Sequence, residues 1–371
     1  MSNLDLFEWV PAVAEPLPAV VPAVVPVAPV VPVVAELLPA VVPAIVPVPE
    51  VMPVVAVPVV AEVPVVAEVP VVPGGELWVI DATALLFRAF FGMPPRYSRA
   101  GVPIGAVLGL SQLLLQVVRR NRARRIALVY DAGRETFRNR IDPRYKAQRG
   151  EPPPELVPQF ELALRLGQAL GFAAYSVPDF EADDLMATLA CQARAVGLGA
   201  RLVSVDKDVC QLVRDAGPAV VVEDPKKGDI LNEAGVRQRM GVVPAHVVDV
   251  MALTGDSSDN IPGVRGVGPM AAVALIEAFG DLEGIYADLA RVERLALRGA
   301  KGLAKKLEAG RAVPTDGRGA GPGRAAVPTG TGGLLTQTRW PGPGADAGEL
   351  FDELGTHGAL RAFAAVRALI G

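Results

Sequence analysis

Acidic residues in this 371-residue chain recur where a short apolar run has just ended. Asp81 follows Leu-Trp-Val-Ile, and Asp131 follows Ile-Ala-Leu-Val-Tyr. Glu181, Asp183 and Asp184 follow a run that passes through Pro178, and Asp206 and Asp208 follow Arg-Leu-Val-Ser-Val. Asp256 and Asp259 add a pair at i, i+3 spacing, which places both side chains on one face of a helix start. A single Asp after a strand is commonly a helix cap, favoured by the helix dipole. Capping does not account for Glu181-Ala182-Asp183-Asp184 or for Asp206-Lys207-Asp208. So many acids in one crevice repel one another unless cations neutralise them. Hard oxygen donors without His or Cys select Mg²⁺ or Mn²⁺, and a carboxylate-rich cluster holds two such ions about 4 Å apart in sites that work on phosphodiesters. One ion would activate the attacking water and the other would stabilise the leaving oxygen.

The elements that must position these acids are legible as alternating runs. Residues 77–80, 126–130, 172–177, 201–205 and 219–222 are short, apolar and β-branched, while 108–118, 156–170 and 185–196 repeat apolar residues near every 3.6 positions. That alternation predicts an α/β fold, a mostly parallel sheet with helices on both faces. In such a sheet the carboxyl ends of the strands converge on one crevice, and each candidate acid from Asp81 to Asp208 lies at such an end. A helical region follows. Residues 311–344 are Gly- and Pro-rich and read as a linker, and 350–370 as one or two closing helices.

Two further segments bear on chemistry. Residues 134–149 carry Arg134, Arg138, Arg140, Arg144, Lys146 and Arg149 against only Glu135 and Asp142, with Phe137 and Tyr145 interleaved. Basic residues with aromatics suit phosphates and stacked single-stranded bases, and a cationic segment beside an acidic crevice would draw a polyanion past like charge. Gly263-Val264-Arg265-Gly266-Val267-Gly268 reads as the turn of a helix-hairpin-helix, where backbone amides approach a phosphate without reading sequence.

Composition excludes several classes. Residues 1–75 are Val, Pro and Ala with seven acids and no Lys or Arg, although the whole chain has 36 basic and 40 acidic residues. The remainder is therefore mildly basic. Residues 16–35 are uncharged and apolar, but recurrent prolines bar a membrane helix, and no basic n-region marks a signal peptide. The segment reads as a disordered or polyproline-II spacer, with a tether to a partner as its functional alternative. Cys191 and Cys210 lack metal-type spacing and are expected to be buried reduced thiols of a cytoplasmic protein, and His246 and His357 lie far apart with no nucleophile motif beside them.

The ordered set of Ile80-Asp81, Tyr130-Asp131, Glu181-Ala182-Asp183-Asp184, Asp206-Lys207-Asp208, Thr254-Gly255-Asp256-Ser257-Ser258-Asp259-Asn260-Ile261-Pro262-Gly263 and the hairpin glycines resembles the bacterial 5′ nuclease family. This family comprises the 5′-3′ exonuclease domain of DNA polymerase I and free-standing flap endonucleases. The resemblance covers about residues 77–307. It implies a PIN-like core over 76–240 with a helical arch at about 132–155, then a helix-hairpin-helix domain over 241–310 that grips a duplex. It further implies Mg²⁺ or Mn²⁺ in two sites. Asp81, Asp131, Glu181 and Asp183 would serve chiefly one, Asp206, Asp208, Asp256 and Asp259 chiefly the other, with Asp184 between them. On the same pattern Lys146 touches the scissile phosphate, Arg149 and Arg138 complete the catalytic cations, and Arg88, Tyr145, Lys207, Gly263, Arg265, Gly266 and Gly268 contact DNA. The family's hairpin also binds a monovalent cation, K⁺, through backbone carbonyls. Implied partners are 5′ flaps and nicked or branched duplex ends, with replication or repair proteins reached through the N-terminal extension. The chain departs from the pattern at Ala82, Phe87, Pro269 and Met270, none of them a candidate metal ligand. With no polymerase domain after it, a free-standing nuclease is expected.

Two rival readings belong to other classes. A catalytically silent binder of branched DNA would have lost ligand acids, and none is lost here. An RNA-cleaving toxin of PIN type has no use for a helix-hairpin-helix, which suits a duplex.

Overall fold

The computed structural model describes residues 75–297, 299–310, 327 and 334–370. The expected Val/Pro spacer lies outside the described residues apart from Gly75. Six strands, β1 (Glu76–Asp81), β2 (Arg125–Tyr130), β3 (Ala173–Ser176), β4 (Gly199–Val203), β5 (Val220–Glu223) and β6 (Ile230–Leu231), form one sheet in the order β3-β2-β1-β4-β5-β6. The first five are parallel, and β6 adds a short antiparallel edge that the sequence pattern did not reveal. Strand order reverses direction between β1 and β4, so the crevice of such a fold opens above those two strands.

Strand β1 is buried on both sides. Leu77 and Val79 face one apolar layer, and Trp78 and Ile80 face the other. This double burial is why the strand reads as a continuous apolar run and not as an alternating one. The helices are α1 (Ala82–Gly92), α2 (Gly105–Asn121), α3 (Phe137–Ile141), α4 (Val157–Ala169), α5 (Ala182–Ala195), α6 (Glu233–Met240), α7 (Val247–Thr254) and α8 (Pro269–Phe279), followed by others that include Ala300–Gly310. Helices α1, α2 and α4 cover one face, with Leu110, Leu114, Val117 and Val118 of α2 fully buried at helical spacing. Helix α5 covers the other face and shares its apolar cluster with α7 and α8. Among the described residues no helix is long and apolar enough to cross a membrane.

Two expectations change. The arch segment holds only one helix, the five residues of α3, because Pro143, Gly150 and Pro152 to Pro154 interrupt any longer one. The linker expectation also fails at its end. Residues 338–340 run antiparallel beside the start of β2, where Ile126 N donates to Thr338 O at 2.7 Å and Trp340 N donates to Arg124 O at 2.8 Å. Cys210 is buried as expected, whereas Cys191 sits on an exposed face of α5.

Trp340 is the anchor of this late segment. It is 2% exposed, stacks on Phe172 at 5.2 Å between ring centroids, and donates its indole N–H to Leu170 O at 2.8 Å. The closing helices, Ala347–Glu353 and His357–Ile370, bring Phe351 and Phe363 into the same layer. We expect Trp340→Ala to lower stability by about 3–5 kcal/mol, the range for a buried aromatic truncated to Ala. A urea midpoint within error of the parent would show that the C-terminal segment is not part of the cooperative fold.

Candidate active site

Strand register sets the acids side by side. Val129 of β2 lies opposite Asp81, and Val203 of β4 lies opposite Ile80, so Asp131 and Ser204 project beyond the sheet on either side of Asp81. Asp81 ends its strand and caps α1, its Oδ1 accepting from Ala84 N at 2.9 Å while Oδ2 accepts from Ser204 Oγ at 3.1 Å. Ser204 Oγ also accepts from Asp206 N at 3.1 Å, and Asp206 Oδ1 accepts from Asp208 N at 2.9 Å. Asp131 is tied in from both sides. Its backbone N–H donates to Thr83 Oγ1 at 2.9 Å, and its Oδ1 accepts from Ala182 N, the first amide of α5, at 2.8 Å. Capping and gathering of acids are thus done by the same carboxylates. Ser204 and Thr83 escaped the sequence reading, although Ser-x-Asp after a strand is a readable pattern.

The start of α5 carries Glu181, Asp183 and Asp184 where the helix dipole favours negative charge. Asp184 is completely buried and takes both terminal nitrogens of Arg138 at 2.7 Å. Arg138 is itself fully buried, 3.6 Å from Glu181 Oε2. The expected roles of these two residues therefore change. Arg138 is sealed away from any phosphate, and both Asp184 oxygens face a guanidinium, so the pair braces α3 against α5.

The basic segment folds down onto the acids. Lys146 Nζ lies 3.0 Å from Glu181 Oε1 and 4.0 Å from Asp259 Oδ2, and Arg149 Nη2 lies 2.7 Å from Asp259 Oδ1. Lys146 adopts a left-handed backbone conformation, φ 53°, and its N–H donates to Asp259 O at 2.9 Å. Gln148 donates to the carbonyls of Ser257 and Ser258, and Asn260 donates to Arg144 O. Tyr145 is 3% exposed, with its hydroxyl 2.9 Å from Glu181 Oε2 and 3.1 Å from Asp259 Oδ2, so it has no face free to stack on a base. Burial first, then the Glu181 charge, raises its pKa, which keeps the phenol a donor. Arg140 instead pairs with Asp179 at 2.5 Å on the surface, and the neck of the segment is closed by Arg134 with Glu151.

Past α7 the chain turns sharply. A Cβ on Gly255 (φ 77°) would lie 2.4 Å from Gly263 N, and one on Gly263 would lie 2.2 Å from Gly255 N, so the two backbones cross where no side chain fits. Asp256 and Ile261 exchange backbone hydrogen bonds at 2.9 and 2.8 Å, which fixes the loop bearing Asp256 and Asp259. Lys207 Nζ lies 3.0 Å from Asp256 Oδ2 and so joins the acidic site instead of lying open as a DNA contact. Arg265, Gly266 and Gly268 are exposed ahead of α8, with Gly263 half-buried, and Arg88 is half-buried on α1.

The electrostatic balance of the site is negative. Burial first, then repulsion from Asp131, pushes Asp81 up to about 7. Burial followed by the charges of Asp206, Asp256 and Asp259 pushes Asp208 up to about 8, and burial with Asp206 and Asp81 holds Asp183 well above the ordinary range. Asp208 Oδ1 is buried without a hydrogen-bond partner. Among the described residues no three acidic side chains already form a closed ligand cluster. The donors nevertheless fit a hard divalent cation in kind, being carboxylates alone, and in charge, because they ionise together only beside added positive charge.

Residues 76–241 match the model of the 5′-3′ exonuclease N-terminal resolvase-like domain, and 242–313 match that of the 5′-3′ exonuclease C-terminal SAM fold. DNA polymerase I of Rhizobium leguminosarum is 36% identical over 233 residues, 61% of this chain and 23% of that protein. The 5′-3′ exonuclease of Aquifex aeolicus is 31% identical over 218 residues, 59% of this chain and 74% of that protein. The matched region spans about a quarter of the length of the polymerase relatives. Among solved structures, T5 5′-exonuclease with divalent metal ions (zinc) bound superposes with a TM-score of 0.52 at 20% identity, over 80% of this chain and 100% of that one. The catalytic core of Rad2 in complex with DNA substrate gives 0.52 at 18% identity, over 79% and 93%. These structures share the fold of this chain.

The Arg138 brace is directly testable. Arg138→Met strands the Asp184 charge in the interior and is expected to cost about 3–5 kcal/mol of unfolding free energy. Neutralising the partner as well, in Arg138→Met with Asp184→Asn, should recover most of that loss. A double variant no more stable than the single one in urea would show that the pair is not what holds α3 to α5.

Proposed function

The chain belongs to the 5′-3′ exonuclease family, and on that footing we propose that it is a metal-dependent 5′-3′ exonuclease and 5′-flap endonuclease that hydrolyses DNA phosphodiesters at flaps and at nicked or branched duplex ends. The observation that carries this reading is the gathering of mutually repelling carboxylates at the sheet's switch point beneath a basic segment, with Asp81, Asp208, Asp256 and Asp259 buried, Asp183 half-buried, and Asp131 and Asp206 exposed. Asp81, Asp131, Asp183, Asp206, Asp208, Asp256 and Asp259 would hold two divalent ions of the Mg²⁺ or Mn²⁺ class, with Glu181 between them and Lys146. Bound there, the ions would supply activation of the attacking water and neutralisation of the leaving oxygen.

The chain's own residues do the rest of the work. Burial opposes the charge on Lys146, but Glu181 and Asp259 outweigh it and raise its pKa, so the ammonium enters the reaction charged. We assign it to the non-bridging oxygens of the scissile phosphate, where a preorganised cation acts on developing charge. Arg149, half-exposed beside Asp259, would hold a neighbouring phosphate. Arg138 and Asp184 position α3 and α5 without touching substrate. Arg265 and the amides around Gly266 and Gly268 would hold the duplex backbone, with K⁺ as the cation suited to the turn's carbonyls. Pro269 removes one amide from that grip, and Met270 offers none of the charge a lysine would bring.

The deciding experiment incubates the full chain with an end-labelled 5′-flap duplex, with and without Mg²⁺. Cleavage that requires the metal is expected, and Asp206→Asn should lose it by several orders of magnitude while keeping DNA affinity, because the amide preserves the acceptor for Asp208 N. Full cleavage by that variant would remove Asp206 from the metal site.

Metal uptake should also release protons. Asp81 and Asp208 titrate near 7 and 8 in the folded chain against 3.8 for an ordinary Asp, so between about pH 4 and pH 8 the metal-free fold holds protons that the unfolded chain has lost. Metal-free stability therefore falls as pH rises through that window, and Mg²⁺ affinity rises. Calorimetry at pH 7 in buffers of different ionisation enthalpy should give buffer-dependent heats. Equal heats in all buffers would mean that the carboxylates are already ionised.

A further inference from the structure

A second charged surface lies at the other end of the sheet. Residues 119–125 read Arg-Arg-Asn-Arg-Ala-Arg-Arg, spanning the end of α2 and the first residue of β2. Two of these arginines have a local explanation. Arg119 and Arg120 sit in the last turn of α2, where the helix dipole favours cations, and Arg120 pairs with the buried Glu223. The others exceed what the helix end requires. Arg122 takes the left-handed capping position, φ 50°, which Gly or Asn fills at lower cost. Arg125 stands directly opposite Arg339 in the antiparallel bridge made by the returning C-terminal segment, an arrangement of like charges that costs stability when nothing offsets it. Arg119, Arg122, Arg124 and Arg339 are exposed, and with Arg125 they make no ion pair among the described residues. The cluster is remote from the carboxylates, since Arg125 and Asp131 are separated by the length of β2, about 20 Å at strand rise.

We propose that Arg119, Arg122, Arg124, Arg125 and Arg339 form a second, sequence-independent binding surface for the phosphate backbone of duplex DNA, separate from the carboxylate crevice. This rests on the reading of the chain as a DNA nuclease. The chemistry of the patch selects the partner class. Protein interfaces are built around apolar or aromatic anchors, and here Ala123 is buried while the exposed residues from 119 to 124 are all arginines. The patch has no aromatic residue on which unpaired bases would stack, which favours duplex over single strand. Duplex DNA offers about one negative charge per 1.7 Å, and guanidinium groups bind its phosphates in fork geometry. A nuclease with this surface holds a second DNA segment while the first is cut.

The test replaces Arg119, Arg122, Arg124 and Arg339 together with Gln in the full chain, and separately with Lys. Affinity for a labelled 30-bp blunt duplex is measured in EDTA across a salt series, and single-turnover cleavage of a short-armed flap is measured with saturating enzyme. The Gln variant is expected to bind the duplex at least 10-fold more weakly at low salt, with a salt slope shallower by about 3 units, while flap cleavage stays within twofold of the parent. The Lys variant should restore most of the binding. Unchanged duplex affinity and salt slope in the Gln variant would overturn the proposal, as would a Lys variant as weak as the Gln one. A poly-glutamate peptide that binds the parent through these arginines more tightly than the duplex does would overturn it in favour of an acidic protein partner. Absence of cleavage by the parent would count against the nuclease reading alone, because the binding arm does not depend on it.

Discussion

Carboxylates buried side by side repel one another with an energy that packing does not recover, and the site depends on where positive charge stands among them. Three devices share that task. Arg138 meets Asp184 in the interior, Lys146 and Arg149 reach in from a surface segment to Glu181 and Asp259, and Lys207 meets Asp256. What they leave uncompensated is centred on Asp81, Asp183 and Asp208, whose carboxyls burial and mutual repulsion hold above the ordinary range. The unmatched charge is therefore localised, and it coincides with the sheet's switch point.

Backbone geometry makes that localisation possible. Each strand delivers its acid at a height set by the ladder register, and helix starts then take one oxygen of Asp81 and of Asp131 as caps. A cap fixes the side-chain rotamer at little cost, which leaves the second oxygen aimed by the first. Ser204 performs the same service between Asp81 and Asp206 with one hydroxyl.

The acids from Asp81 to Asp208 were legible because they follow apolar runs, and the strands because β-branched runs punctuated by acids have few other meanings. Helix α5 was legible for a similar local reason, the repeat of apolar residues near every 3.6 positions over 185–196, whereas the crossing of Gly255 with Gly263 was not. What stayed hidden depends on distance along the chain. Nothing near Arg138 announces that it will be enclosed with a residue 46 positions later, and its match to a catalytic pattern pointed the other way. Tyr145 reads as a stacking aromatic until Glu181 and Asp259 claim its hydroxyl. The arch was inferred from resemblance, and its own prolines and glycine keep most of it out of helix. Trp340 lies in a Gly- and Pro-rich stretch whose composition describes a linker, yet its ring stacks on Phe172 and residues 338–340 pair with the start of β2.

The backbone hydrogen bond from Lys146 to Asp259 carries a geometric consequence. It fastens the residue assigned to the scissile phosphate onto the loop that leads within a few residues to Gly263 and the start of α8. On the proposed function, the residue that would meet the scissile phosphate and the turn that would hold the duplex are thus joined by one backbone contact and a short stretch of chain. Where a duplex is held by that turn, the phosphate presented to Lys146 is chosen by counting outward from the grip. On the proposed function the protein would act as a gauge, the length of its products following from a dimension of the fold and not from the sequence being cut.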